Sequence, residues 1–253
     1  MTLKTEFMLE LHKLRHRRVP LMFLALFAIL ALWLMWCMDD VDPSRFNDVG
    51  ALLYINLLLM NTILCPIILA ALASRMCDME QLGNTYKWLC TIERPEHIYR
   101  AKVLTGGFYV AVLCLMQTVL YHILLLPYGG SPRGRLASLA VTLALTALCI
   151  FILQLNLSLR CTNQLTPIFL NIGGTFIGLF SWFLPQWPLR YLLPWGYYAA
   201  LCNTGYFYDK AARYTTYYWD SYPFFWLLLL AAVTAALYLR GRNNFLKTVR
   251  ETM

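Results

Sequence analysis

Six stretches of this 253-residue chain hold no Asp, Glu, Lys or Arg: 19–38, 50–73, 103–126, 136–159, 165–184 and 223–239. Each is close to the roughly 17–25 residues that cross a bilayer as a helix. In lipid every backbone N–H and C=O must be satisfied within its own segment, so runs of this length are read as spanning helices. Six spans leave no room for a second folded domain. The expected architecture is a single all-α transmembrane domain over 1–253 with six transmembrane helices.

The charges supply an orientation. With the N-terminus inside, 15 of the 21 Lys and Arg fall on the cytoplasmic segments 1–18, 75–102, Arg160 and 240–250. That bias fits the positive-inside rule and puts both termini in the cytoplasm of a multi-pass protein. The 13 acidic residues divide almost evenly, seven inside and six outside, so the net charge of +8 is a property of the inner face. These basic residues flank spans, which matches anionic lipid and argues against nucleic acid as a partner.

The most informative polar segment is 74–102, which lies between the second and third spans. It carries nine charged residues but one glycine and one proline, so it is not a flexible linker. Gly83 and Asn84 break the preceding helix. Residues 85–92 read as a short helix presenting Tyr86, Trp88 and Leu89, and Pro95 with Glu96 suits the first turn of the next helix.

Glu80, then Asn84, Thr85, Tyr86 and Lys87, then Leu89, Pro95 and the run from Ile98 to Lys102 resemble the first cytoplasmic loop of ABC-2 type permeases. The Asn-Thr-Tyr-Lys core is most similar to permease subunits of lantibiotic-immunity ABC transporters. The match departs at Glu93 and Arg94, where relatives more often carry apolar residues. The resemblance implies a type V exporter-like bundle with a cytoplasmic coupling helix seated in a groove of a separate ATPase. Glu80, Asn84, Thr85, Tyr86, Lys87, Trp88 and Leu89 are then the ATPase-coupling residues. It further implies two ATPase copies that bind ATP and Mg²⁺, a second permease that is identical or a sister subunit, and a bacterial cytoplasmic membrane. The expected substrate is a lantibiotic-type peptide, expelled from the membrane for self-protection. Another amphiphile, bacitracin-like or lipid, is the alternative within this class.

Other segments are less specific. In 2–18, Leu3, Phe7, Leu11 and Leu14 share a helical face, as in an amphipathic helix lying along the inner leaflet. Glu10 and Lys13 stand where ABC-2 permeases have such residues in a connecting helix; a plain topogenic segment is the other reading. Asp39, Asp40, Asp42 and Asp48 form an acidic outer loop, either a cation-attracting patch or a solvated turn. Pro66 is expected to kink the second span. Asn56, Asn61, Gln117 and Asn171 are costly in lipid and are candidates for a substrate pathway. Gly174 and Gly178 form a GxxxG, either a permease–permease interface or an internal packing face. Residues 185–222 hold 13 of the 38 aromatics, together with Pro185, Pro188 and Pro194. They read as short helices or a re-entrant hairpin at the outer interface.

No GxxxxGK[ST] is present, so the chain itself has no P-loop for ATP. HExxH and GxSxG are also missing, and the eight cysteines form no CxxC, so no metal site is expected. A permease without its own catalytic centre or cofactor is the expectation. A membrane enzyme or sensor working without an ATPase is the rival.

Overall fold

The computed structural model describes residues 3–39, 47–83, 85, 89–90, 93–210 and 213–252. A short helix, α1 (Leu3–His16), precedes α2 (Val19–Asp39), α3 (Val49–Leu82), α4 (Pro95–Leu125), α5 (Arg133–Arg160) and α6 (Leu165–Phe183). Two single-turn helices follow, α7 (Leu189–Leu192) and α8 (Tyr197–Ala200), then strands β1 (Thr204–Asp209) and β2 (Tyr214–Trp219), and finally α9 (Phe224–Thr252). Six of these helices are long and apolar enough to cross a membrane.

The bundle is inverted relative to a water-soluble one. Leu24, Leu32, Leu115, Phe169 and Leu228 point outward, while Glu6, Glu10, Glu80 and Lys102 are buried. In hydrocarbon, outward-facing apolar side chains need no cover, whereas polar groups must find protein partners. The candidate pathway residues do so. Asn61 and Gln117, both buried, are joined by Gln117 Nε2 donating to Asn61 Oδ1 at 3.2 Å. Asn171 Oδ1 accepts from Gln154 Nε2 at 2.9 Å and from Trp195 Nε1 at 2.8 Å. Asn56 Nδ2 donates to Leu52 O of its own helix at 2.9 Å. Asn61, Gln117 and Asn171 thus tie helix to helix. α3 runs through Pro66 as one helix from Val49 to Leu82.

Gly174 and Gly178 pack inside the chain. A Cβ on Gly174 would lie 2.2 Å from the Trp195 ring, and one on Gly178 would lie 2.7 Å from the Trp195 carbonyl oxygen. The internal packing face is therefore the reading this geometry fits, because both glycines are covered by their own chain. Trp195 reaches Asn171 and Gly174 near the middle of α6, so the segment after α6 dips back along the bundle.

Of the short helices or hairpin expected over 185–222, that end holds the two single-turn helices and a two-stranded antiparallel β-hairpin, with Thr204 opposite Trp219 and Asp209 opposite Tyr214. Asn47 clamps its outer strand, accepting from Tyr217 N at 2.7 Å and donating to Tyr217 O at 2.9 Å. Asp48 caps α3 through Ala51 N, and its second oxygen accepts from Arg135 at 3.2 Å and Trp219 Nε1 at 2.8 Å. Asp48 is thus a structural joint, not part of a free acidic patch. Asp39 ends α2, and Asp40 and Asp42 lie outside the described residues. None of the eight cysteines forms a disulfide.

Candidate coupling site

α1, the α3–α4 connection and the last turns of α9 meet at one end of the bundle, termed basal here. α3 stops at Gly83, whose N–H reaches Met79 O at 3.3 Å, and Thr85 N turns back to Glu80 O at 3.0 Å. Leu89 N then bonds Thr85 O and Glu93 N bonds Leu89 O, both at 2.8 Å. Two successive i→i−4 bonds are the spacing of an α-helix. Leu89 and Cys90 are helical and half-buried against the core. Asn84, Tyr86, Lys87 and Trp88 lie outside the described residues. Pro95 opens α4, with Glu96 in its first turn.

Four charges anchor this connection. Lys102, fully buried on α4, pairs with Glu80 of α3 at 2.9 Å and with Glu10 of α1 at 3.6 Å, and donates to Met76 O at 2.8 Å. Lys13 of α1 pairs with Glu10 at 2.9 Å and Glu80 at 3.1 Å. Burial works to lower the Lys13 pKa, but Glu10 and Glu80 together outweigh it and hold the ammonium above the ordinary lysine value. The stability this pairing contributes is present below the unfolded lysine pKa and is lost as pH rises through the folded value. Two carboxylates against two ammonium groups neutralise one another, which makes so much buried charge tolerable.

Further contacts tie the same loop outward. Glu6 on α1 lies 3.4 Å from His97 Nδ1 on α4. Burial, with repulsion from Glu93, raises the Glu6 pKa above 4.5 despite the nearby His97. Glu96 takes Arg100 and Arg242 at 2.6 Å each, joining α4 to α9. Gln81 donates to Ser158 O at 3.0 Å and meets Gln164, which fixes the loop to the α5–α6 corner. Between α1 and α2, Arg18 adopts a left-handed φ of 58°, and Arg75 donates to Arg17 O at 3.4 Å.

Glu80 is thus 3% exposed and faces inward, toward Lys13 and Lys102. Thr85 bonds Glu80 O, and Leu89 packs on the core. Among the predicted coupling residues, the structure brings Glu80, Thr85 and Leu89 together. Sequence reading singled out Glu10 and Lys13 without their partners and gave Lys102 no role. Glu10 and Lys102 are separated by 92 positions, and only the packing of α1 across α3 and α4 makes them neighbours.

This geometry makes the loop a stiff handle: displacing it loads α1, α3, α4, α9 and the α5–α6 corner together. The model of the family described as "ABC-2 family transporter protein" matches residues 3–178, from α1 into α6, and so covers the whole charge network. No curated protein matches the chain. With its six spanning helices and a match over more than half its length, the chain belongs to the ABC-2 family of transporter proteins, the membrane permeases that work with a partner ABC ATPase.

Proposed function

We propose that this chain is the permease of a bacterial exporter that removes lantibiotic-type antimicrobial peptides from the membrane, driven through the 83–94 loop. The observation that carries the coupling role is the buried Glu10–Lys13–Glu80–Lys102 network, which locks both ends of that loop to α1. A loop so anchored passes a push to the bundle and does not absorb it. The contact with the ATPase is assigned to Asn84, Tyr86, Lys87 and Trp88, whose large aromatics are the residue types common at interaction hot spots. Two ATPases, holding ATP and Mg²⁺, drive a pair of permeases, identical or sister subunits, with both termini cytoplasmic. Closure of the ATPases draws the two loops together and moves the bundles between packed arrangements.

The Asn-Thr-Tyr-Lys resemblance supports the peptide class. Co-expression of the permease with its ATPase in a sensitive bacterium tests it. Survival should rise against lantibiotic-type peptides and return to baseline when the ATPase cannot hydrolyse ATP. Protection against bacitracin-like compounds alone, or a changed lipid composition without peptide protection, would assign the exporter to another amphiphile.

A further inference from the structure

α6 and α9 both flank α5 and leave between them a groove of about 920 Å³. Its walls include Leu157, Phe169, Gly173, Val233 and Leu237, and Trp195 closes it deep in the bundle. Trp195 is a fixed stop, because its indole N–H is held by the buried Asn171 and its ring lies on Gly174. Gly173 leaves the slot open, since a Cβ there would meet nothing within 4 Å. On α6 the lining runs from Thr166 to Ile177, about 16 Å at the helical rise. That is close to the ~15 Å depth of hydrocarbon in one leaflet. All the walls belong to spanning helices or to the dipping segment, so in a membrane this slot meets acyl chains, not water.

The basal mouth carries the opposite chemistry. Arg160 lies three residues beyond Leu157 on α5, and Arg240 three beyond Leu237 on α9. An i,i+3 step keeps a side chain on the same helical face, so each arginine stands one turn below a lining residue. Both are exposed, and neither joins an ion pair among the described residues. An apolar slot one leaflet deep with two cations at its mouth complements one kind of molecule. We propose that this groove binds an anionic phospholipid, with one acyl chain in the slot and the phosphate between Arg160 and Arg240.

The test needs neither the ATPase nor a transported substrate, so it stands or falls separately from the export reading. The permease is placed in phosphatidylcholine nanodiscs with a trace of phosphatidylglycerol carrying a photoreactive diazirine in one acyl chain, and adducts are mapped by mass spectrometry. Adducts should concentrate on the groove stretches of α6 and α9 and exceed those around Leu115, an equally lipid-facing site on α4 that is 66% exposed. Unlabelled phosphatidylglycerol should compete and added phosphatidylcholine should not. Arg160→Gln and Arg240→Gln should each lower groove labelling about fivefold at low salt and leave the Leu115 site unchanged. Gly173→Leu, at a position with room for a side chain, should abolish groove labelling alone. Groove labelling no greater than at Leu115, or indifferent to the headgroup, would overturn the proposal. So would a photo-crosslinker at Phe169 that captures a second permease copy instead of lipid.

Discussion

Lys102 shows how one residue organises the basal end. It is fully buried and reaches Glu80, Glu10 and the Met76 carbonyl, so its charge is compensated only while α1 and α3 stay in place. Removing one member of a buried pair leaves an uncompensated charge, typically at about 3–5 kcal/mol. Lys102→Met is expected to destabilise the permease by that order, measured by denaturant unfolding in detergent. Adding Glu80→Gln should recover part of the loss, because it removes the stranded carboxylate. If the two losses simply add, the residues are not coupled. Glu6 behaves differently, because burial and then Glu93 raise its pKa above 4.5. A carboxyl with a raised folded pKa favours the native state at low pH, and that favour is lost as pH climbs from 4.5 through the folded value. Glu6→Gln should therefore raise the melting temperature at pH 7 and change it little at pH 4. A variant less stable than wild type at pH 7 would mean that pairing with His97 outweighs the burial.

Among the elements, the spanning helices were legible and their joints were not. Charge-free runs of spanning length allow a helix and little else in lipid, so all six were readable before any contact was known. The GxxxG was ambiguous because small residues fit an internal seam and a subunit seam equally well; the deciding neighbour, Trp195, is 17 positions from Gly178. Over 185–222 short helices and a hairpin stayed open because Tyr and Trp suit both a headgroup-level helix and a strand, and contacts distant in sequence, such as Asn47 on Tyr217, set the strands. The glycines give a direct check. Gly178→Val places its branch against the Trp195 backbone, which cannot rotate away, while Gly173→Val enters open space. Overpacking typically costs about 1–3 kcal/mol. The first variant should lose that much stability and the second almost none, as read by thermal unfolding. Equal losses would place Trp195 elsewhere. At the basal loop the inward turn of Glu80 depended on α1, whose own sequence says only that it is amphipathic.

At the scale of the whole molecule, the account is of a membrane body moved by an external motor through one loop. The proposed orientation, with both termini cytoplasmic, rests on the placement of basic residues and is open to direct measurement. A cysteine at Asn84 should react with an impermeant thiol reagent only after the cell is opened, and one at Ser221 should react from outside. Labelling of the Asn84 site in intact cells would place the loop on the wrong side for any ATPase. The most direct test joins the loop to the motor. Trp88→Ala permease is purified from membranes beside wild type, and two quantities are measured in the same preparation: its melting temperature and the ATPase recovered per folded permease. Loss of one hot-spot anchor typically costs about 2 kcal/mol or more, a more than tenfold change in occupancy. The account predicts an unchanged melting temperature with ATPase recovery reduced to a small fraction of wild type. A lowered melting temperature with wild-type ATPase recovery would make Trp88 a fold or membrane anchor and contradict the coupling role of the loop.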